Sequence, residues 1–515
     1  MNEKPKRKLG WRLLRWGLIG LAVLVTLAAV LVTEENWRAK RDWENYQREA
    51  VARGERLDIA SVIPPAVPDD QNFFCAPIVA EALNAVQNQS IYSPGARDTN
   101  SVNRMDFSIY RGDSKLWPTN YGNWQTGKPL NLKEWQQYFR AFNQTADGKT
   151  NGFSVPPQPG TPAADVLLGL SGFDPALEEL RQAAALPNAR LPLNYEDGFE
   201  AAGRLFPWLA NIKKCGQFLQ LRIVAELENG QADKALDDIE LFLRITDANR
   251  NSRFLISHLV RIAMLAIVLE PIHQGLAEHR WSDAQLAELE RELANEDFLV
   301  DFDLAMNGEK ICAIDAFEKQ RITREIKMVD DSLGTNKIVT VSLRWMPSAY
   351  FYQNQLFFAR MHREWIASLV DLTNRIVAPS ALRQVLAAIS ARSTPALYKA
   401  QASMALPPIA KSVMRFAMIQ SQVDLARVAC VLERYRLAHG VFPETLDALT
   451  PQFIAKLPHD IINGQPLHYR RTNDGQFILY SVGWDEKDDG GQIVFTKGGS
   501  VDREKGDWVW QYPAK

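Results

Sequence analysis

Residues 13–32 read LLRWGLIGLAVLVTLAAVLV, and the rest of the chain is placed by how this run is read. Between Arg15 and Glu34 eighteen residues carry no charge. At about 1.5 Å per residue they cover roughly 27 Å as a helix, enough to cross a hydrocarbon core. Lys4, Lys6, Arg7, Lys8, Arg12 and Arg15 lie before or at the edge of the run, and Glu34 and Glu35 follow it. That imbalance predicts a cytoplasmic amino terminus, an anchor in the inner or plasma membrane, and a periplasmic or extracellular bulk. A cleavable signal peptide has an apolar core of about 7–15 residues and a small-x-small cleavage site. Here the run is longer and leads into Val30-Leu31-Val32-Thr33-Glu34, so an uncleaved anchor is expected.

Working outward, the chain divides into a basic tail (1–12), the anchor (13–33), and a stalk helix with a Pro-rich link (34–70). A helical ectodomain (71–405) follows, then a small terminal module (406–515). In the stalk, Trp37, Trp43, Tyr46 and Ala50 fall near one stripe, and Pro64-Pro65 and Pro68 stop the helix. From 84 to 159 the composition turns to Asn, Gln, Gly, Ser and Pro, interrupted by an alternating Asp106–Tyr110 and a helical Asn131–Gln144. The aromatic residues Tyr110, Trp117, Tyr121 and Trp124 mark this stretch as a layer packed over helices rather than a free loop.

Helical periodicity dominates the ectodomain. Asp174-Pro175 reads as N-cap and first helical residue, and Ser282…Gln285 as a capping box. Phe254–Leu276 is apolar on most faces, yet its longest uncharged run, Ile262–Leu269, is too short to span a bilayer, so a core helix is expected. Further helices are expected at about 299–328, 348–378 and 381–392, with Pro395 and Pro407-Pro408 as breaks. The aromatic cluster from Tyr350 to Trp365 reads as core. Within 218–247 the segment Gly230-Gln231-Ala232-Asp233-Lys234-Ala235-Leu236 resembles the turn of one tetratricopeptide hairpin. That resemblance implies helix-pair packing and no more, because the unit does not recur.

The last hundred residues change character. A helix over about 409–439 ends at Gly440, a short helix covers Leu446–Leu449, and strand-like arms Leu467–Arg471 and Gln476–Val482 flank Asn473-Asp474-Gly475, a hairpin signal. Gln492–Thr496 and Asp507–Gln511 supply two more strands. The order Tyr435…His439-Gly440…Pro443, Leu457-Pro458-x-Asp460, Gly464-Gln465-Pro466-x-x-Tyr469, Tyr480-Ser481-Val482-Gly483-Trp484-Asp485 and Gly506-Asp507-Trp508-Val509-Trp510 resembles the carboxy-terminal domain of type II secretion major pseudopilins. That resemblance implies a calcium ion in the loop between the last strands. By position, Asp485 and Asp507 would be its side-chain ligands and Val482 a carbonyl ligand. Ser481, Asp488 and Asp489 would help complete the roughly 6–8 oxygens calcium takes; read without the resemblance, 486–491 is a solvated hairpin tip. The family's peptidase site and the Glu inside its apolar run are absent, and about 375 residues separate Val32 from Ile409, so no filament subunit is expected.

The whole is therefore expected to be mainly α: a transmembrane helix, a helical-hairpin ectodomain with a loop-rich layer, and an α+β module with an antiparallel sheet. A net charge of −2 leaves no field that would recruit nucleic acid. Four scattered cysteines (75, 215, 312, 430) form no CxxC pair and read as buried thiols. The seven histidines show no ligand spacing, and GxSxG, HExxH, GxxxxGK[ST] and GxGxxG are absent. His273 and His279 read as helix-end residues; His459-Asp460 and Asp301-Phe302-Asp303 read as solvated turns and caps ahead of acid/base pairs, and Glu309 as a helix-surface ion pair with Lys310 or a neighbour ahead of a partly buried carboxylate. Two functions follow: a non-catalytic interaction or scaffold protein that binds an envelope protein, or an anchored hydrolase or ligand-binding enzyme with its site between the helical body and the 84–159 layer.

Overall fold

The computed structural model describes residues 7–87, 104–324, 344–392 and 397–512. Lys4, Lys6, the 88–103 part of the loop-rich stretch, the end of the helix expected to reach 328, and Pro395 lie outside them.

One unbroken helix, α1 (Arg7–Ala52), joins the expected anchor to the expected stalk. Every described side chain from Trp11 to Glu34 is exposed, and this helix is long and apolar enough to cross a membrane. Beyond it Ala39, Trp43, Tyr46 and Ala50 are buried against Ile314, Ala349, Tyr352 and Ala359. Trp37 is not on that face. It precedes Trp43 by six residues, about 240° around a helix, and points to solvent.

The body is a stack of helices: α2 (Phe206–Glu228), α3 (Ala232–Asp247), α4 (Leu255–Ala277), α5 (Asp283–Ala294), α6 (Phe298–Thr323), α7 (Ser348–Met361) and α8 (Val413–His439). The hairpin of α2 and α3 turns at Gly230, whose φ of 73° suits glycine, and buried Ala235 lets the two helices approach. Helix α4, apolar on most faces, lies among α2, α3, α6 and α8 as the expected core helix. The capping box of Ser282 and Gln285 starts α5. This helix buries Leu286, Leu289 and Leu293 in its packing against α8, each leucine contributing about 1.5–3 kcal/mol of burial. Arg427 holds Glu290 at 2.9 Å and Arg434 holds Asp283 at 2.9 Å along the same contact. Inside the body Arg261, fully buried, donates to Asp301, Glu296 and Asp247, tying α4 to α3, α6 and the link before α6.

Several local expectations are corrected. The helix beginning at Asp174 is entered from a 3-10 turn with no side-chain cap; Asp174 instead holds Arg222 at 2.6 Å. The helix expected over 348–378 stops at Met361. It passes through a π-turn (His362–Ile366) into a hairpin of two short strands, Val370–Asp371 and Ile376–Val377. Asp371 accepts from the backbone and side-chain amides of Asn374, and Arg375 takes φ 53°, a local turn that competes with helix. Pro407 and Pro408 lie inside a helix, Ala400–Lys411, and the chain breaks at Ser412 before α8. Residues Met105–Ile109 alternate buried and exposed but form no ladder. Cys215, Cys312 and Cys430 are buried thiols, whereas Cys75 is half-buried.

The terminal module pairs β1 (His468–Arg471), β2 (Phe477–Ser481) and β5 (Trp508–Gln511) in the order β1-β2-β5, antiparallel throughout. A separate hairpin joins β3 (Ile493–Phe495) to β4 (Val501–Gly506). Gly475 and Gly440 take φ 79° at the hairpin turn and the end of α8. Helix α8 is buried from Phe416 to Glu433, and one apolar core runs through body and module across residue 406.

Candidate functional site

The loop that follows β2 brings Asp485, one of the residues named for calcium, back towards Asp507 just before β5. Asp485 accepts from the N–H of Lys487 (3.3 Å) and of Gly506 (3.2 Å), which places it beside Asp507 in the chain fold. Asp507 is almost fully buried and accepts from the N–H groups of Asp489 (3.3 Å), Gly491 (2.6 Å) and Gln492 (3.2 Å). Burial, ahead of these hydrogen bonds, raises its carboxyl above the ordinary range. Gly483, at φ 71°, permits this convergence: a Cβ there would lie 2.3 Å from the carbonyl oxygen of Gly506.

The other named residues face different partners. Asp488 accepts from the Tyr480 hydroxyl (3.0 Å) and the Gly490 N–H (2.9 Å). Ser481 is buried, donating its hydroxyl to Asp460 (2.9 Å) and accepting from Gly483 N–H (3.3 Å). The N–H of Val482 donates to Asp460 at 2.9 Å, so its amide is committed and its carbonyl is the group left for a cation. Among the described residues no three His, Cys, Asp or Glu side chains converge as a metal-binding group. The fit to calcium therefore rests on Asp485, Asp507 and the carbonyls around them, whose carboxylates keep free lone pairs beside their peptide donors.

Asp460 emerges from this geometry with a role its turn reading understates. It also accepts from Ile462 N–H (2.9 Å), and its own N–H donates to Gln465 (2.8 Å). One buried carboxylate thus clasps the 460–465 turn to the end of β2. The signal was present in Leu457-Pro458-x-Asp460, but only the fold shows which donors reach it.

A second convergence lies where the loop-rich layer, α4 and the sheet meet. Glu270 on α4, buried, accepts the N–H of Trp124 at 2.5 Å. Gly122, at φ 73°, lets the loop cross this carboxylate, since a Cβ there would sit 2.7 Å from its oxygen. One turn on, His273 Nε2 donates to the Gln511 carbonyl at 2.9 Å and packs between the rings of Trp124, Trp510 and Tyr512, with centroids 5.0–5.4 Å away. Burial drives the His273 pKa down to about 4, so it is a neutral donor rather than a helix-end cation. His279 lies elsewhere, its Nδ1 donating to Glu433 at 2.9 Å.

Above this floor is a cavity of about 580 Å³. Trp124, Phe477 and Tyr512 line it together with the amides of Gln125, Gln476, Gln492 and Gln511. Gln476 is buried, and its side-chain oxygen has no hydrogen-bond partner. The remaining titratable pairs are framework. Glu309 is not paired with Lys310; it accepts Leu255 N–H at 3.1 Å at the start of α4, with burial pushing it up to about 7. Lys310 reaches Glu55 at 3.7 Å. Asp301 serves Arg261, and His459 meets the Arg375 carbonyl at 3.2 Å.

Comparison with protein-family models, with curated proteins and with solved structures finds no match for this chain.

Proposed function

We propose that this protein is a single-pass, membrane-anchored interaction protein of the cell envelope. Its folded body would stand outside the cytoplasm and bind an envelope protein partner. The observation that carries this reading is α1, whose first half is an exposed apolar rod and whose second half is a packed part of the body. Such a helix holds the body at a set height and angle, as a scaffold requires. The basic flank before it and the acidic residues after it support a cytoplasmic amino terminus. The cavity over Trp124 is lined by rings, glutamine residues and one carboxylate, Asp474, a set that suits recognition of a polar group.

The terminal module would be stiffened by calcium at Asp485 and Asp507, with the Val482 carbonyl as a further ligand and Asp488 and Asp489 at its rim. When bound, the ion would offset the mutual repulsion of these carboxylates and link the loop after β2 to the start of β5. Its Tm should rise when calcium is added to the chelated protein, and Asp485→Ala with Asp507→Ala should abolish that rise. An identical response in wild type and double variant refutes the site.

The anchor has its own test. The full chain should stay with membranes in alkaline carbonate, and a reporter fused after Lys515 should be active only in a form that folds outside the cytoplasm. Release by carbonate, or a reporter active only in the cytoplasm, overturns the proposal.

A further inference from the structure

Three large apolar side chains stand in water at one end of the body: Trp345 is 85% exposed, Ile322 66% and Trp37 61%. They lie on three separate elements that meet at one place. Asn36, on α1, accepts the N–H of Ala349 at the start of α7 at 2.7 Å. Arg324, just past the end of α6, donates to the Met346 carbonyl at 2.6 Å and to the Ser348 hydroxyl at 3.0 Å. Trp37 adjoins Asn36, Ile322 is two residues before Arg324, and Trp345 adjoins Met346. The two contacts therefore gather all three around the point where α1 enters the body.

The depth of that point follows from helix geometry. Asn36 and Trp37 are three and four residues past Thr33, the last uncharged residue of the apolar run. At about 1.5 Å per residue this is roughly 5–6 Å beyond the hydrocarbon edge, within the headgroup layer. Ala349 sits at the same level through its bond to Asn36. An extended link of four residues keeps Trp345 within about 13 Å of it. Tryptophan is the side chain best suited to that layer, with an apolar body and a polar N–H. The exposed cation here, Arg41 over the Trp37 ring at 5.1 Å, is of the kind that faces lipid phosphates.

We propose that Trp345, Ile322 and Trp37 form a foot by which the body rests on the bilayer, a second lipid contact beyond the spanning helix. The foot rests on the anchor reading given above. It would limit the tilting of α1 and its docked body together and would fix which face of the ectodomain looks away from the membrane.

The test places the photoreactive residue p-benzoylphenylalanine at single positions in the full chain. Each protein is reconstituted in phosphatidylcholine vesicles with alkyne-tagged acyl chains, and lipid adducts are counted after illumination. Position 21, within the apolar run, reports the anchor itself. Position 495, where Phe495 is 48% exposed on the terminal module, is the reference. Adducts at 345 and 322 should exceed those at 495 several-fold and approach those at 37. Adducts at 21 and 37 with only reference levels at 345 and 322 overturn the foot while leaving the anchor intact. Crosslinks from 345 to a second copy of the chain also overturn it, and reference levels at 21 overturn the anchor and the foot together.

Discussion

Asp460 shows how much one buried carboxylate can organise. Its two oxygens satisfy Ser481, Val482 and Ile462, and its loss leaves three donors without an acceptor. Asp460→Ala should therefore destabilise the protein by about 2–4 kcal/mol in urea titration, with Asp460→Asn losing less because one acceptor remains. In the sequence, Asp460 reads as a turn residue beside His459. A turn residue and a clasp look alike until the donors from a strand twenty residues downstream are in view. The same limit explains Glu309: adjacency to Lys310 suggested a pair, but successive helix residues point apart, and the partner came from the start of α4.

At the scale of elements, α1 is where local pattern and tertiary packing meet. Its apolar run is legible from composition because length and hydropathy alone make it able to cross a membrane, and no partner in the chain is needed. Its second half is legible only in part. Trp43, Tyr46 and Ala50 share a face by helical spacing, but which face packs was settled by Ala349, Tyr352 and Ala359 on α7. Trp43→Ala should cost about 3–5 kcal/mol of that docking. Hydrogen exchange across residues 39–52 should speed up in detergent while α4 and α8 keep their protection; unchanged exchange would show that the stacked pair of Trp43 and Tyr46 does not hold α1. The short hairpin after Met361 went unforeseen because it is closed by a side-chain turn at Asp371, which accepts from Asn374.

Across the whole molecule, the seam between body, loop layer and sheet is held by buried ionisable groups. Burial pushes the carboxyl of Glu270 up to about 7, partly opposed by the Trp124 N–H. Its ordinary value is near 4.5, so between those two values the folded chain holds a proton that the unfolded chain has released. Stability from this group is thus greatest at the acid end and is lost as the pH rises through about 7. Glu270→Gln keeps an acceptor for Trp124 without a buried charge. It should be more stable than wild type at pH 8, by up to about 3 kcal/mol, and the gap should close near pH 4.5. Urea midpoints at the two pH values decide the matter; a pH-independent difference would show that Glu270 titrates normally in the fold.

Composition and periodicity by themselves determined that this chain is mainly helical, that its amino-terminal helix can cross a membrane, and that a small antiparallel sheet closes the chain. Those features answer to short-range rules: apolar length, helical spacing, and the backbone preferences of Gly, Pro and Asp. Tertiary structure alone decided that the second half of α1 packs into the body, that Asp460 and Glu270 are clasps, and that Trp124, His273 and Trp510 share a seam. The physical reason is that a hydrogen bond or a stacked ring depends on groups up to several hundred residues apart, and no local pattern records which of them will meet.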